Sequence, residues 1–393
     1  MDALPDGLPR PDADALAVSA RLVETIADEV AAGGGAIPFD RYMELALYRP
    51  GLGYYSNGSR KFGAAGDFVT APEVSDLFGR CVARSLAASL RSLANPQILE
   101  LGAGRGLLAV DLLRELAALG VLPERYLILE RSGELRARQR ARFQADIPEL
   151  AGRIEWLDSL PGAGFDGVVL GNEVVDAFPV KRFCYSGGAV VELGVGVRDG
   201  SLVEVALATP DRRLVDAVAP LADACAWPDG YTSEWSPTVE PWMVALGEKL
   251  RDGLLLLIDY GCGRAEFYHR QRATGTLMCH YRHRVHADPL VLTGLQDITA
   301  YVDFTQLAEA GARAGLRLHG YATQAFYLID SGLQALVEAC DGADRPHFLR
   351  RMSEVKTLTL PGEMGERFKA MAWCKGRVAS PSGFSAQDLR SRL

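Results

Sequence analysis

Apolar and polar positions change rhythm several times along the 393 residues. Residues 1–15 read as a loose tail. Ala15–Ala32 then repeats its apolar positions with the helical period and stops at Gly33-Gly34-Gly35, a strong helix terminator. A second helix starts around Ile37-Pro38-Phe39-Asp40, runs through Tyr42 and Leu45 to Tyr48, and ends at Pro50-Gly51. The stretch Gly51–Pro72 (GLGYYSNGSRKFGAAGDFVTAP) has no period, yet it is too apolar for a solvated linker. Long irregular segments inside compact proteins are usually functional.

From residue 97 short apolar runs alternate with helical patterns. Ile98–Leu101, Arg125–Glu130, Ile154–Leu157 and Gly167–Leu170 read as strands, with helices at Leu107–Leu119 and Gly133–Phe143 between them. Such βαβ units build a parallel sheet. Lys181–Pro210 breaks the rhythm with period-2 alternation and two turn signals, Gly187-Gly188 and Asp199-Gly200, so inserted β-hairpins are expected there. An aromatic, proline-bearing stretch, Trp227–Pro241, leads to a helix over Trp242–Arg251. Gly253–Tyr260 then resumes the sheet. Beyond it, Asp303–Gly315 reads as a helix, Arg317–Thr323 as a strand, Gly332–Met352 as mainly helical and Phe368–Cys374 as a last strand.

The net charge of −8 argues against a nucleic-acid scaffold, which would carry a basic stripe, although Arg264–His286 gathers several Arg and His. Cysteines 81, 184, 225, 262, 279, 340 and 374 are scattered, odd in number and without a CxxC pair, which favours reduced thiols over a disulfide framework. The longest apolar run, Leu254–Ile258, is far too short to cross a membrane. The acidic, proline-bearing start suits neither a signal nor a transit peptide, so a cytoplasmic protein is expected.

Candidate chemistry concentrates at strand ends, where ligand contacts gather in a doubly wound sheet. The first end is Glu100-Leu101-Gly102-Ala103-Gly104-Arg105-Gly106, a glycine turn running straight into a helix. Glycine lets backbone approach a ligand closely. The third glycine of a dinucleotide fingerprint is missing, since Leu107 takes its place. The pattern E-x-G-x-G-x-G instead resembles that of S-adenosylmethionine (SAM) methyltransferases. Glu130 closes the next strand, 24 residues past Gly106, an offset that suits a grip on ribose hydroxyls. Its bland alternative is a surface carboxylate. Asp158-Ser159 follows the third strand, where it could bind an adenine amino group or simply cap a turn.

The fourth end, Gly171-Asn172-Glu173-Val174-Val175-Asp176-Ala177-Phe178-Pro179, is the most distinctive catalytic candidate. If this segment is helical, Glu173 and Asp176 share a face. Paired carboxylates can hold a guanidinium by bidentate hydrogen bonds and orient one nitrogen for methyl transfer. The alternative is a capping acid with a solvated neighbour. Asp67, Thr70, Pro72 and Glu73 form another cluster, which read alone is a turn and helix start with Thr70 as N-cap. Cys279, His280, His283 and His286 invite a metal, but their spacing matches no zinc pattern. A substrate-binding loop using one histidine is the preferred reading, with Asp297-Ile298-Thr299 capping the helix that follows.

Taken together, GYY (53–55), GDFVTAPEVSDLFG (66–79), ELGAGRGLLAVDLL (100–113), GNEVVDAFPV (171–180), IDYG (258–261), GTL…YRHRVHADP (275–289), GLQDITAYVDF (294–304) and MGERFKAMA (364–372) resemble the MidA-like methyltransferases. That family includes a mitochondrial complex I assembly factor that methylates arginine. The segments occur in family order from about residue 40 to the end. The chain departs from the family at NEVVDAFP, where NEFFDALP is common, and at Tyr301, where a histidine is common.

The resemblance implies an α/β, class I SAM-methyltransferase (Rossmann-like) doubly wound sheet with an N-terminal helical cap and an inserted β-hairpin region. Residues 1–95 would form the cap, with an active-site loop at 51–79. Residues 96–393 would form the SAM-binding domain, with a β insertion near 181–240 and a substrate loop near 261–302. The implied activity is methyl transfer from SAM to a protein arginine, linked to respiratory complex assembly. The rivals are a small-molecule methyltransferase and a non-catalytic SAM-binding assembly factor.

Glu173, Asp176, Glu73 and Asp67 are then catalytic candidates. Gly102, Ala103, Gly104, Gly106, Glu130, Asp158, Ser159, Asn172, Thr70 and Pro72 are candidates for SAM, and Tyr260, His283, Asp297 and Thr299 for the substrate. No metal, nucleic acid or membrane span is expected. The partners would be a protein substrate and a second copy in a homodimer, and the hairpins at 181–210 offer exposed strands that a partner could cover.

Overall fold

A computed structural model of the chain describes residues 7–57, 69–339 and 344–393, and these fall into two compact units. One unit takes Met1–Phe68, Asp176–Val239 and Arg264–Tyr301, and the other Val69–Val175, Glu240–Gly263 and Val302–Leu393. The division differs from the boundary near residue 95 expected from sequence. Residues 69–95 fall in the second unit, and the first is gathered from three separate lengths of chain.

The second unit is built on an eight-stranded sheet. Across it lie Arg317–Thr323, Phe368–Lys375, Leu250–Cys262, Phe165–Asn172, Gln97–Leu101, Arg125–Leu129 and Ile154–Leu157, while the short Val302–Asp303 pairs with the end of Leu250–Cys262. The pairs from Leu250–Cys262 through to Ile154–Leu157 are parallel, and Phe368–Lys375 is antiparallel to both its neighbours. The parallel strands are nearly continuous apolar runs because both faces are covered. Ile98, Tyr126, Val168, Leu256 and Ala370 are all fully buried.

Register decides what this sheet presents at its carboxyl edge. Leu101 lies opposite both Leu129 and Gly171, and Asn172 lies opposite Ile258. Three strands therefore end at nearly one level, followed by Gly102, Glu130 and Glu173, and Asp259 of the longer strand Leu250–Cys262 lies at that same level. One face is covered by the helices Asp76–Arg91 and Leu107–Ala118, which meet through Leu77, Phe78, Val82, Leu112 and Leu116. Ser75 caps the first of these by accepting from the Leu77 amide.

In the first unit, Ala36–Pro38, Ala189–Arg198, Lys181–Ser186 and Tyr231–Trp235 form an antiparallel sheet, and Ser201–Ala206 pairs with Ala189–Arg198. The two expected hairpins are there. Ser186 faces Ala189 across Gly187-Gly188, and Arg198 faces Ser201 across Asp199-Gly200, with positive φ at all four turn residues. The helices Ala13–Ala32 and Phe39–Tyr48 bury Leu22, Ile26, Tyr42 and Met43 in this unit's core. A second small sheet, Arg284–His286, Met278–Tyr281 and Asp297–Thr299, occupies what the sequence suggested was a loop. Among the described residues, no helix is long and apolar enough to cross a membrane.

Candidate active site

In the second unit the strand Gln97–Leu101 delivers the glycine turn. Gly102, Gly104 and Gly106 all have positive φ, and Gly106 opens the helix Leu107–Ala118 with no side chain capping its first turn. Backbone amides at such a helix start can bind an anionic group. A Cβ on Gly106 would stand 2.8 Å from the Phe143 ring, so the turn has no room for a side chain there. Glu100 is buried beneath it, accepts from the Tyr126 hydroxyl at 2.9 Å, and is pushed by burial up to about 7.

Glu130 follows the strand Arg125–Leu129. Its Oε1 accepts from the Ser132 amide at 2.8 Å. Burial raises its pKa, against the pull of the Ser132 and Arg131 amides, the Arg136 charge and the Gln139 side chain. Asp158 and Ser159 are exposed, and Asp158 is already engaged by Arg136 Nη2 at 2.5 Å. Gln139 and Trp156 were missed from the sequence. The Gln139 amide donates to the Gly104 carbonyl at 2.8 Å and accepts from the Trp156 indole at 2.6 Å.

The strongest cluster of acids stands at the same edge. The segment after Asn172 is not helical, and Glu173 has φ of 53°, in the left-handed region. The shared helical face expected for Glu173 and Asp176 is therefore corrected: a one-turn offset has no meaning on this backbone. Non-glycine residues held in this conformation are strained and collect at functional sites. Asp259 supports the turn by accepting from the Val174 amide at 3.1 Å and the Val175 amide at 2.8 Å.

Glu173 Oε1 accepts from Asn172 Nδ2 at 3.0 Å and from the Ala71 amide at 3.4 Å. Burial, and then the charges of Asp259 and Glu73, push its carboxyl up to about 8, with those two hydrogen bonds opposing. Glu73 meets Arg105 Nη1 at 3.3 Å through Oε1. Its Oε2, and Oδ1 of Asn172, are buried with no hydrogen-bond partner among the described residues. Buried acceptors left open in this way call for a donor. Thr70 is the N-cap of Ala71–Val74 with Pro72 in the first turn, but its hydroxyl makes no capping bond. Tyr260 lies one residue past Asp259, its ring edge-on to Phe368 at 5.6 Å. Asp67 lies outside the described residues.

The remaining candidates belong to the first unit. Asp176 is buried, and its carbonyl accepts from the Ala300 amide at 3.0 Å. Asp297 is buried in the small sheet and accepts from the Tyr55 hydroxyl at 2.9 Å, while the Thr299 hydroxyl donates to the Met278 carbonyl at 3.4 Å. The capping role expected of Asp297–Thr299 is corrected, because these residues are paired as a strand. The helix Phe304–Arg313 is capped by Asp303, which accepts from the Thr305 and Gln306 amides. His283 is exposed in the turn between Met278–Tyr281 and Arg284–His286, with φ of 60°. Among the described residues no three His, Cys, Asp or Glu side chains cluster as a metal site.

A family of S-adenosyl-L-methionine-dependent methyltransferases matches residues 81–322. The mitochondrial "Protein arginine methyltransferase NDUFAF7 homolog" of Drosophila melanogaster is 30% identical, over 88% of this chain and 83% of that protein. The corresponding human protein is 24% identical, over 86% and 80%. Among solved structures, a Burkholderia thailandensis protein bound to S-adenosyl-homocysteine is 43% identical, with a TM-score of 0.94 over 98% of this chain and 100% of that one. These names overturn the cytoplasmic expectation, since the curated relatives are called mitochondrial. Scattered thiols report reducing surroundings, which is less than an address.

Proposed function

Because the chain belongs to this family of S-adenosyl-L-methionine-dependent methyltransferases, we propose that its acceptor is an arginine side chain of a protein. The family resemblance extends this to a subunit of a respiratory complex. The finer fold reading, a class I sheet with an N-terminal helical cap and an inserted β-hairpin region, belongs to the same proposal.

The residues of the second unit fit the cofactor. A turn of three positive-φ glycines, a helix start free of side-chain caps and an acid one strand over make a backbone cradle beside a carboxylate. Gly102, Ala103, Gly104 and Gly106 would seat the methionine part and Glu130 the ribose, with Asn172, Thr70 and Pro72 along the wall. Asp158 is the weaker candidate for adenine, as Arg136 already holds it. S-adenosyl-L-methionine, when bound, supplies a methyl group already activated for transfer.

The observation that carries the arginine reading is the set of acceptors around Glu173. Burial, and then the charges of Asp259 and Glu73, raise Glu173, and two buried acceptor atoms beside them are unfilled. A guanidinium answers both conditions, with a positive charge and five donors in a plane. Its arrival would draw Glu173 back to the ionised form, since an opposite charge favours it. Glu173 would then localise the positive charge away from the attacking nitrogen and stand ready for the proton that leaves during or after transfer. Incubating the protein with radiolabelled SAM and a cell lysate tests the reading. Label in a protein band, recovered as methylarginine, supports it. Label in small molecules, or binding without transfer, supports a rival.

A further inference from the structure

The helix Gly133–Asp146 is strongly polar, and only Gln139 and Phe143 are buried on it. They lie four residues apart, on one face, and both meet the glycine turn. Phe143 fills the space beside Gly106, and Gln139 packs its side chain against the same glycine. An apolar residue at 139 would satisfy packing at less cost, because a buried amide must find partners. Gln139 finds them at both ends. The Trp156 indole can only donate, so Oε1 must face it, and Nε2 is thereby aimed at the Gly104 carbonyl, which can only accept. The same side chain also helps to hold down the Glu130 pKa that burial raises. A single amide thus ties the glycine turn to the strand Ile154–Leu157.

We propose that Gln139 is a positioning residue for the cofactor, fixing the Gly104 peptide in the geometry that binding requires. The proposal rests on the cofactor roles given above to Gly102–Gly106 and Glu130. Gln139 needs no contact with the ligand. It acts by presenting a donor to Gly104 that neither an aliphatic residue nor an ionised acid can supply.

The test is calorimetric titration of purified protein with S-adenosyl-homocysteine, read as a dissociation constant. Gln139→Leu should weaken binding roughly tenfold, the scale of one or two hydrogen bonds left unmade. Gln139→Glu gives the sharper result, because it keeps the length and can donate only when protonated. Its affinity relative to wild type should approach one near pH 5.5 and fall progressively towards about pH 8.5, reversibly in the same folded sample. A Leu variant that binds as wild type does, or a Glu variant whose deficit does not change with pH, overturns the proposal. Glu130→Gln separates the two layers. If it binds as tightly as wild type, the ribose role of Glu130 falls, and if it weakens binding while both Gln139 variants do not, only the inference falls.

Discussion

The Glu173 amide donates to the Ile258 carbonyl at 2.9 Å, so the pairing of two parallel strands runs one residue past Asn172, to the level of two acids, Glu173 and Asp259. Asp259 uses its carboxylate to fix the turn after Glu173, and its charge raises the Glu173 carboxyl. The candidate catalytic acid is therefore held by backbone rather than by side-chain ion pairs. Its carboxyl, pushed up to about 8, is left for an arriving cation to draw into the ionised form.

Glu173→Gln keeps the size and the Asn172 contact but removes the charge. The expected result is a loss of turnover of roughly 10²-fold or more, with the dissociation constant for SAM within about twofold of wild type. Methyltransfer rates together with calorimetry check this. Retained turnover defeats the assignment of Glu173.

Asp259→Asn removes the second-largest cause of the raised Glu173 pKa while keeping an oxygen for the Val174 and Val175 amides. The pH profile of kcat/KM should lose its limb near 8 and show it at lower pH. An unchanged profile would mean that Glu173 is not the group titrating.

Glu100 and Glu173 both have folded-state pKa values above the ordinary carboxylate range, about 7 and about 8. The folded protein then holds protons that the unfolded chain releases, so stability falls as pH rises from about 4.5 through these values. For Glu100, fully buried against Tyr126, the fall amounts to about 3 kcal/mol at most. Thermal melts from about pH 5 to about pH 8 should show Glu100→Gln flattening the decline. A parallel decline in the variant would count against a buried, protonated Glu100.

Gly106→Ala combines a φ of +78° with a Cβ 2.8 Å from Phe143. Destabilisation of roughly 1–3 kcal/mol and a matching loss of SAM affinity are expected from urea melts and titration. A double variant with Phe143→Ala should recover part of the packing cost but not the backbone strain.

The sequence carried the elements around the glycine turn to within about a residue, because an apolar run, three glycines and a helical period meet there without ambiguity. Both hairpins were equally legible, since Gly187-Gly188 and Asp199-Gly200 leave the chain few other conformations. What escaped depends on contacts distant in sequence. The backbone at Glu173 is set by Ile258 and Asp259, more than 80 residues on, and no local signal announces a left-handed glutamate. The small sheet of residues 278–299 turns at Arg282 and His283, both with positive φ and neither a turn-forming type. Gln139 sits on a helix whose polarity concealed its buried face. Asp259 lies inside the strand Leu250–Cys262, and nothing local there announces that its carboxylate holds the turn after Glu173.

Transfer to arginine is tested by mass spectrometry of lysate proteins labelled by the protein and isotopic SAM. Heavy methyl groups are expected on arginine nitrogens of a small set of proteins, absent when Glu173→Gln replaces the wild type. Label confined to lysine, to other side chains or to small molecules would contradict it.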